Sequence, residues 1–283
     1  MLGMSKPLRY EERFCLFLDI LGFKKKVEKS VQSAASMASI AGHSSVGEIF
    51  FSLKKIAESL KYRAAVVGSD GGMSPSSRLV TQFSDSVVVS YLVTEVGGLA
   101  DILYDVLNLQ VKLIQFGVLV RGAITKGLLH HDPDFVFGPA LNEAVELEKL
   151  AMYPRVIVDG ALLASEGISP SIAETAVASS SRTVETLLAQ DLDGMFYVDY
   201  FSVHPDDFSD DWSELCEYLI SLHEIVKGLA SERRPSIRLK HSWMRQKFNS
   251  VAGAVERSQF RRVGAHAIPE DEVDHFYSVR PFK

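Results

Sequence analysis

Two aspartates break the pattern of their surroundings in this 283-residue chain. Asp19 closes the apolar run Phe14-Cys15-Leu16-Phe17-Leu18, and Asp85 lies in Ser84-Asp85-Ser86 between the β-rich runs 79–83 and 87–92. An ionised carboxylate at the end of a buried strand carries a desolvation cost of several kcal/mol unless a cation, a helix N-terminus or a metal compensates it. Either residue alone is as readily structural as functional. Brought together at neighbouring strand ends, the two can hold a pair of divalent cations about 3.5–4 Å apart, an arrangement that serves phosphoryl transfer. Directly after Asp19, the backbone N–H groups of Leu21, Gly22 and Phe23 open a predicted helix, and such an end attracts phosphate.

For the two carboxylates to meet, their strands must be neighbours. The continuous apolar run 14–18 has the pattern of a central strand buried on both faces. Residues 30–47, rich in Ser, Ala and Gly, predict a loop or frayed helix; a helix over 46–62 follows, with Ile49, Leu53, Ile56 and Leu60 at helical spacing. Residues 68–77 have the composition of a surface loop, and 79–83 with 87–92 form a hairpin with Asp85 at its tip. A long amphipathic helix over 95–116, a second β pair over 118–125 and 127–130, a helix over 142–152 and a strand over 155–159 complete the region. That order is βαββαβ, an α+β, ferredoxin-like core with helices on one face of the sheet.

After Ala164 the composition shifts to Ser, Ala, Glu and Thr, which divides the chain into a catalytic core over 1–165 and a small α/β C-terminal domain over 166–283. The second part has a strand over 195–201 and a helix over 212–229, with Asp210 or Ser209 as its N-cap. A further helix over 237–251 carries Lys240, His241, Trp243 and Arg245, and the tail from 261 is polar and irregular.

The bulk figures narrow the function. A net charge of −6 lacks the basic surface that general nucleic-acid binding requires, but leaves room for one charged small-molecule substrate. The hydrophobic fraction of 47% supports an ordinary core without staples. The two cysteines, Cys15 and Cys216, sit in apolar runs and are expected as buried thiols. The apolar stretch 14–23 is interrupted by Asp19 and too short to span a bilayer, and has no signal-peptide cleavage pattern, so the expectation is a cytoplasmic protein without membrane partners.

Four segments resemble the motifs of class III adenylate and guanylate cyclases. Phe17-Leu18-Asp19-Ile20-Leu21-Gly22-Phe23 resembles their first metal motif and Phe83-Ser84-Asp85-Ser86 their second, where Gly-Asp is more usual than Ser-Asp. Arg121-Gly122-Ala123-Ile124-Thr125-Lys126-Gly127 and Phe137-Gly138-Pro139-Ala140-Leu141-Asn142-Glu143-Ala144 resemble the two segments that follow. Order and spacing agree across residues 13–160. The resemblance is closer to the pyrimidine cyclases of bacterial Pycsar anti-phage systems, through Arg-Gly-Ala-Ile at 121–124, Gly-Pro-Ala at 138–140 with Glu143-Ala144 and Leu147-Glu148, and Tyr153-Pro154-Arg155. Asp193-Gly194, residues 196–201 and the segment 240–243 resemble the small sensor-type domain of that branch.

The resemblance implies that the ribose 3′-OH of a nucleoside triphosphate attacks its own α-phosphate and expels pyrophosphate. It implies two divalent cations, Mn²⁺ or Mg²⁺, held by Asp19, Asp85 and the Ile20 carbonyl. Phe17, Leu21, Gly22, Phe23 and Thr81 would then face the nucleotide. It implies a homodimer in which metals come from one subunit and transition-state residues from the other, with UTP as the favoured substrate and CTP close behind. Two departures matter. Thr81 occupies the position of the lysine that reads adenine, which argues for another base. Asn142 matches the transition-state asparagine, but the arginine expected four residues on is Glu146, so the cation must come from elsewhere, Arg155 first and Arg121 second. Otherwise the chain is a degenerate cyclase that only binds nucleotide. A diguanylate cyclase is disfavoured by Phe-Ser-Asp-Ser-Val at the hairpin tip.

Other features have plainer readings. Lys24-Lys25-Lys26 is expected on an exposed helix face, His130-His131 in a solvated turn, and Lys240, His241 and Trp243 on a packing face. Arg121 is as readily the partner of a carboxylate in the sheet as a catalytic cation.

Overall fold

The computed structural model describes residues 9–35, 45–60, 66–67, 73–168, 183–203, 205–208, 212–252, 262–263, 266–267 and 281–283. Strand β1 (Glu11–Ile20) lies at the centre of the main sheet because it is apolar on both sides. Phe14, Leu16, Leu18 and Ile20 join the large core on one face, while Cys15 and Phe17 join a smaller cluster on the other.

After β1 come helices α1 (Phe23–Ala35) and α2 (Ser45–Ser59), then the short strands β2 (Val66–Val67) and β3 (Met73–Ser74), which pair with each other. Strands β4 (Leu79–Phe83) and β5 (Ser86–Leu92) form the hairpin, and α3 (Gly98–Gln115) leads to β6 (Val120–His131) and β7 (Val136–Phe137). Then follow α4 (Pro139–Leu150), β8 (Val156–Val158), α5 (Gly160–Ser165), β9 (Leu188–Gln190), β10 (Phe196–Val198), α6 (Trp212–Ala230) and α7 (Pro235–Ala252). The main sheet runs β4-β5-β1-β6-β8-β10-β9. Its first four strands pair antiparallel throughout, which is the ferredoxin-like order expected from βαββαβ. Strand β8 then adds parallel to β6.

The pairing of β1 with β6 depends on Gly122. A Cβ there would lie 2.4 Å from the Phe17 carbonyl oxygen, so a side chain at this position would force the two strands apart. The same crowding fixes Gly138: its φ is +145°, and a Cβ there would lie 2.7 Å from the Leu128 carbonyl oxygen, which excludes a side chain just before Pro139 starts α4.

Several expectations are corrected. The β pair expected over 118–125 and 127–130 is one long strand, Val120–His131, because Lys126 stays in register opposite Phe14 and is neutralised by Glu166 at 2.8 Å. Of the loop or frayed helix expected over 30–47, the start is helical to Ala35, in agreement with the second alternative, with the Ser30 hydroxyl donating to the Val27 carbonyl at 2.7 Å inside α1; residues 36–44 lie outside the described set. Within the expected 68–77 loop, Met73 and Ser74 are paired, Ser77 is tied to Glu95, and 68–72 are outside the described residues. The expected caps Ser209 and Asp210, and most of the tail beyond 261, also lie outside it. Helix α4 covers the face of the sheet opposite α2 and α3, so helices occupy both faces.

The composition break at 165 does not interrupt the packing. Strands β9 and β10 extend the same sheet, and Leu215, Leu219 and Leu222 of α6 share one core with α3. Both cysteines are buried free thiols, as expected. Among the described residues no helix is long and apolar enough to cross a membrane.

Candidate functional site

The site begins where β1 ends. Asp19 stands opposite Ser86 on β5 and Arg121 on β6, so the hairpin tip lies beside it. The Ile20 N–H donates to the Asp85 carbonyl at 3.2 Å, which fixes the tip against β1. The two carboxyl groups meet here. Burial first, then the charge and hydrogen bonding of Asp85, push the Asp19 carboxyl up to about 7. Such a shift marks a pair of acids without enough positive charge between them. The tip itself is a two-residue turn in which Ser84 takes a φ of +55°, a left-handed conformation that glycine adopts without penalty.

Arg121 reaches toward this pair without neutralising it. Its Nη2 is 3.9 Å from the Asp19 carboxylate, while its Nε is held by Glu148 of α4. Glu148 is buried, and burial pushes its carboxyl up against the opposing pull of Arg121 and Lys149. Arg121 is therefore shared between Asp19 and Glu148. Glu148 enters the sequence reading only as part of a motif, with no role, because its partner lies on a different element; its i,i+4 spacing from buried Ala144 is the signal that places it on the inner face of α4.

The strand-to-helix turn has one donor fewer than the sequence suggests. The Leu21 N–H is already bonded to the Leu119 carbonyl at 2.9 Å. The N–H groups of Gly22, with its φ of +78°, and of the first turn of α1 are the donors left at this end of the helix. Phe17 is half-buried two residues before Asp19 on the same face of β1.

Thr81 shares that face, in the row Thr81–Val88–Phe17 across β4, β5 and β1. By sheet spacing its Cα is about 12 Å from that of Asp19. Its hydroxyl contacts His131 Nε2 at 3.0 Å, and His131 Nδ1 contacts Ser90 Oγ at 2.7 Å. This corrects the solvated turn expected for His130-His131. Both histidines belong to β6; His131 is buried, and only its neighbour pairs with Asp132, at 2.9 Å.

The remaining candidates separate. Asn142 and Glu146 are both exposed on α4, one turn apart, with Glu146 bound to Lys149 at 2.6 Å. Arg155 is elsewhere. It is 0% exposed, its Nη1 is 2.5 Å from Asp191, and its Nη2 is paired with Asp193. Asp191 also accepts from Trp243 Nε1 at 2.5 Å and faces Lys247 at 3.2 Å. The Trp243 ring stacks on Tyr153 at 5.1 Å. Arg155 is thus a rivet between β8, the β9–β10 hairpin and α7, and has no surface to offer a second subunit. Trp243 is on a packing face, as expected.

Among the described residues no group of three or more His, Cys, Asp or Glu side chains is arranged to hold a metal ion. Asp19 and Asp85 are the carboxylates that meet here.

No family model matches the chain, and no curated protein matches it. Among solved structures it is similar to the adenylyl cyclase CyaB from P. aeruginosa, at 13% identity and a TM-score of 0.37, over 55% of this chain and 80% of that one. It is also similar to a class III adenylyl cyclase-like ATP-binding protein from Pseudomonas aeruginosa, at 11% identity and a TM-score of 0.30, over 63% of this chain and 41% of that one. The chain therefore spans less than half the length of the second protein.

Proposed function

We propose that the chain is a pyrimidine nucleotide cyclase that converts UTP to 3′,5′-cyclic UMP and pyrophosphate, with CTP as the alternative substrate, and that it supplies a second messenger in anti-phage defence. The observation that carries the reading is the meeting of Asp19 and Asp85 at neighbouring strand ends, with one carboxyl pushed up to about 7. An all-oxygen donor set with surplus negative charge fits Mg²⁺ or Mn²⁺ and no softer ion. Asp19, Asp85 and the Ile20 carbonyl would hold two such ions. When bound, they lower the pKa of a ribose hydroxyl and neutralise a triphosphate.

The chain's own groups supply the remainder. The free N–H groups at the start of α1 bind phosphate oxygens. Arg121, held in place by Glu148, adds positive charge beside Asp19. Phe17 offers an apolar surface between the metal carboxylates and the base position at Thr81. The ribose 3′-hydroxyl releases its proton to solvent, and its oxygen forms the bond to the α-phosphorus as the bond to the pyrophosphate oxygen breaks. Asn142, exposed on α4, acts on that phosphorus in the partner's site, so the working form is a twofold homodimer.

A second reading has its own observation. Glu146 shares the exposed face of α4 with Asn142, and an anion there opposes a pentavalent phosphate. A chain that binds nucleotide without cyclising it would look the same. Incubating the pure protein with each of the four nucleoside triphosphates and Mn²⁺, with mass spectrometry of the products, decides between them. Cyclic UMP or cyclic CMP is expected; tight binding without any cyclic product would establish the sensor reading instead.

A further inference from the structure

A line of four side chains runs from the interior of the sheet to the base position: Arg13, Ser90, His131 and Thr81. Arg13 is 2% exposed, and its Nε donates to Ser90 Oγ at 2.8 Å. Its other donors are committed as well, to Glu11 at 3.0 Å and to the Ser77 carbonyl at 2.5 Å. A guanidinium can only donate. The proton order at this end of the chain is therefore fixed.

The order propagates outward. Ser90 is fully buried and accepts from Arg13, so its own hydroxyl hydrogen needs an acceptor. Among the described residues, the group in reach is His131 Nδ1 at 2.7 Å. If Nδ1 carried a proton, two hydrogens would face each other and the Ser90 hydroxyl would be left unsatisfied, at a cost the buried site has no means to offset. Nδ1 is then the acceptor, and a neutral ring carries its proton on Nε2. That proton is donated to Thr81 Oγ1 at 3.0 Å. The Thr81 hydroxyl hydrogen is left to point away from His131, over the half-buried face it shares with Phe17 and Asp19.

We infer that His131 is a positioning residue that locks Thr81 as a hydrogen-bond donor toward the base, and so selects a base with a keto oxygen at that edge, uracil, over one with an amino group there, cytosine. The inference rests on the cyclase reading given above. A lone threonine hydroxyl rotates and serves either base; one whose oxygen already accepts from an imidazole keeps a second lone pair, but its hydrogen still needs an acceptor, which a uracil oxygen supplies and a cytosine amine does not. The neutral ring is supported by the groups around it. Burial and the charge of Arg13 lower the His131 pKa to about 4, with His130 acting in the same direction and Asp132 opposing.

Two measurements test it. The first is the tautomer of His131 in the intact protein, read from ¹⁵N–¹H correlation spectra of histidine-labelled material near pH 7, with His131→Gln used for assignment. The Nε2–H tautomer is expected; the Nδ1–H tautomer or an imidazolium would overturn the proposal whatever the activity. The second is the ratio of affinities for UTP and CTP, measured by calorimetry with Ca²⁺ as a cation that supports binding in place of Mn²⁺. Wild type is expected to prefer UTP. Thr81→Val and His131→Phe should each lower that preference about tenfold, the worth of one oriented hydrogen bond. Thr81→Ser should keep it. A preference for CTP, or a ratio unchanged in Thr81→Val, would overturn the proposal and leave the cyclase reading intact. Absence of binding to any nucleoside triphosphate would defeat the cyclase reading itself, while the tautomer would still report on the wiring. Should His131→Phe fail to fold, the wild-type tautomer and the Thr81 variants carry the decision.

Discussion

The backbone N–H of Ile20 donates to the backbone carbonyl of Asp85 at 3.2 Å, and that one bond joins the end of the central strand to the tip of the hairpin. It holds two carboxylates together across 65 residues of chain. Their proximity is unfavourable without a cation, so on the proposed reading stability and metal binding are coupled at this point.

The first prediction concerns pH. Without metal, the Asp19 carboxyl is pushed from its ordinary 3.8 up to about 7. Between those values the folded chain keeps a proton that the unfolded chain releases, so the contribution of Asp19 to stability falls as pH rises through the window. The difference in urea midpoint between wild type and Asp19→Asn should shift in favour of the variant from pH 5 to pH 8. Mn²⁺ should raise the wild-type midpoint more at pH 8 than at pH 5, because the ion and the proton compete for one carboxylate. Parallel midpoints with and without metal at both pH values would contradict the pairing.

Ser84 should be improvable. A left-handed residue other than glycine costs about 1–2 kcal/mol, and glycine costs about 0.5–1 kcal/mol in the unfolded chain. Ser84→Gly is expected to stabilise by up to about 1 kcal/mol, and Ser84→Val to destabilise, in chemical denaturation.

Gly122→Ala has the opposite outcome. Its new methyl would sit 2.4 Å from the Phe17 carbonyl, a backbone atom that cannot swing aside. A loss of about 1–3 kcal/mol is expected, together with the proposed cyclase activity, because β1 and β6 must part next to the Asp19–Arg121 pair. A variant with wild-type stability would show that the strands can slide.

Asp191→Ala removes the main partner of a fully buried arginine and should cost about 3–5 kcal/mol. The double variant Arg155→Met, Asp191→Leu should recover part of that loss, since the arginine is gone with its partner while Trp243 Nε1 still loses its acceptor. Activity per folded molecule should be retained in the double variant, as Arg155 has no exposed surface. Loss of turnover in a stable double variant would return Arg155 to the chemistry.

Subunit mixing tests the shared site. Asp19→Ala and Asn142→Ala proteins, each inactive alone, should regain about one working site per heterodimer after exchange. No recovery once exchange is confirmed by labelled subunits would place Asn142 in its own subunit's site.

What the amino-acid sequence determined by itself was local. A carboxylate closing an apolar run exposes Asp19, and two β-rich runs around a polar triplet give the hairpin with Asp85 at its tip, because strand period and turn chemistry are encoded within a few residues. The order βαββαβ then follows from the alternation of such segments, and with it the neighbourhood of the two aspartates. Tertiary structure decided what lies between distant segments. Arg155 has the composition of a surface cation until the β9–β10 hairpin brings Asp191 to it from 36 residues away. His131 has the look of a turn residue until β6 continues past Lys126 and places it between Ser90, 41 residues back, and Thr81, 50 back. The break at residue 165 marks a change of composition, but the register of β8 with β10 carries the sheet across it. Burial of a charged or polar side chain depends on partners that only strand order supplies, and no local periodicity records which strand will come to lie beside which.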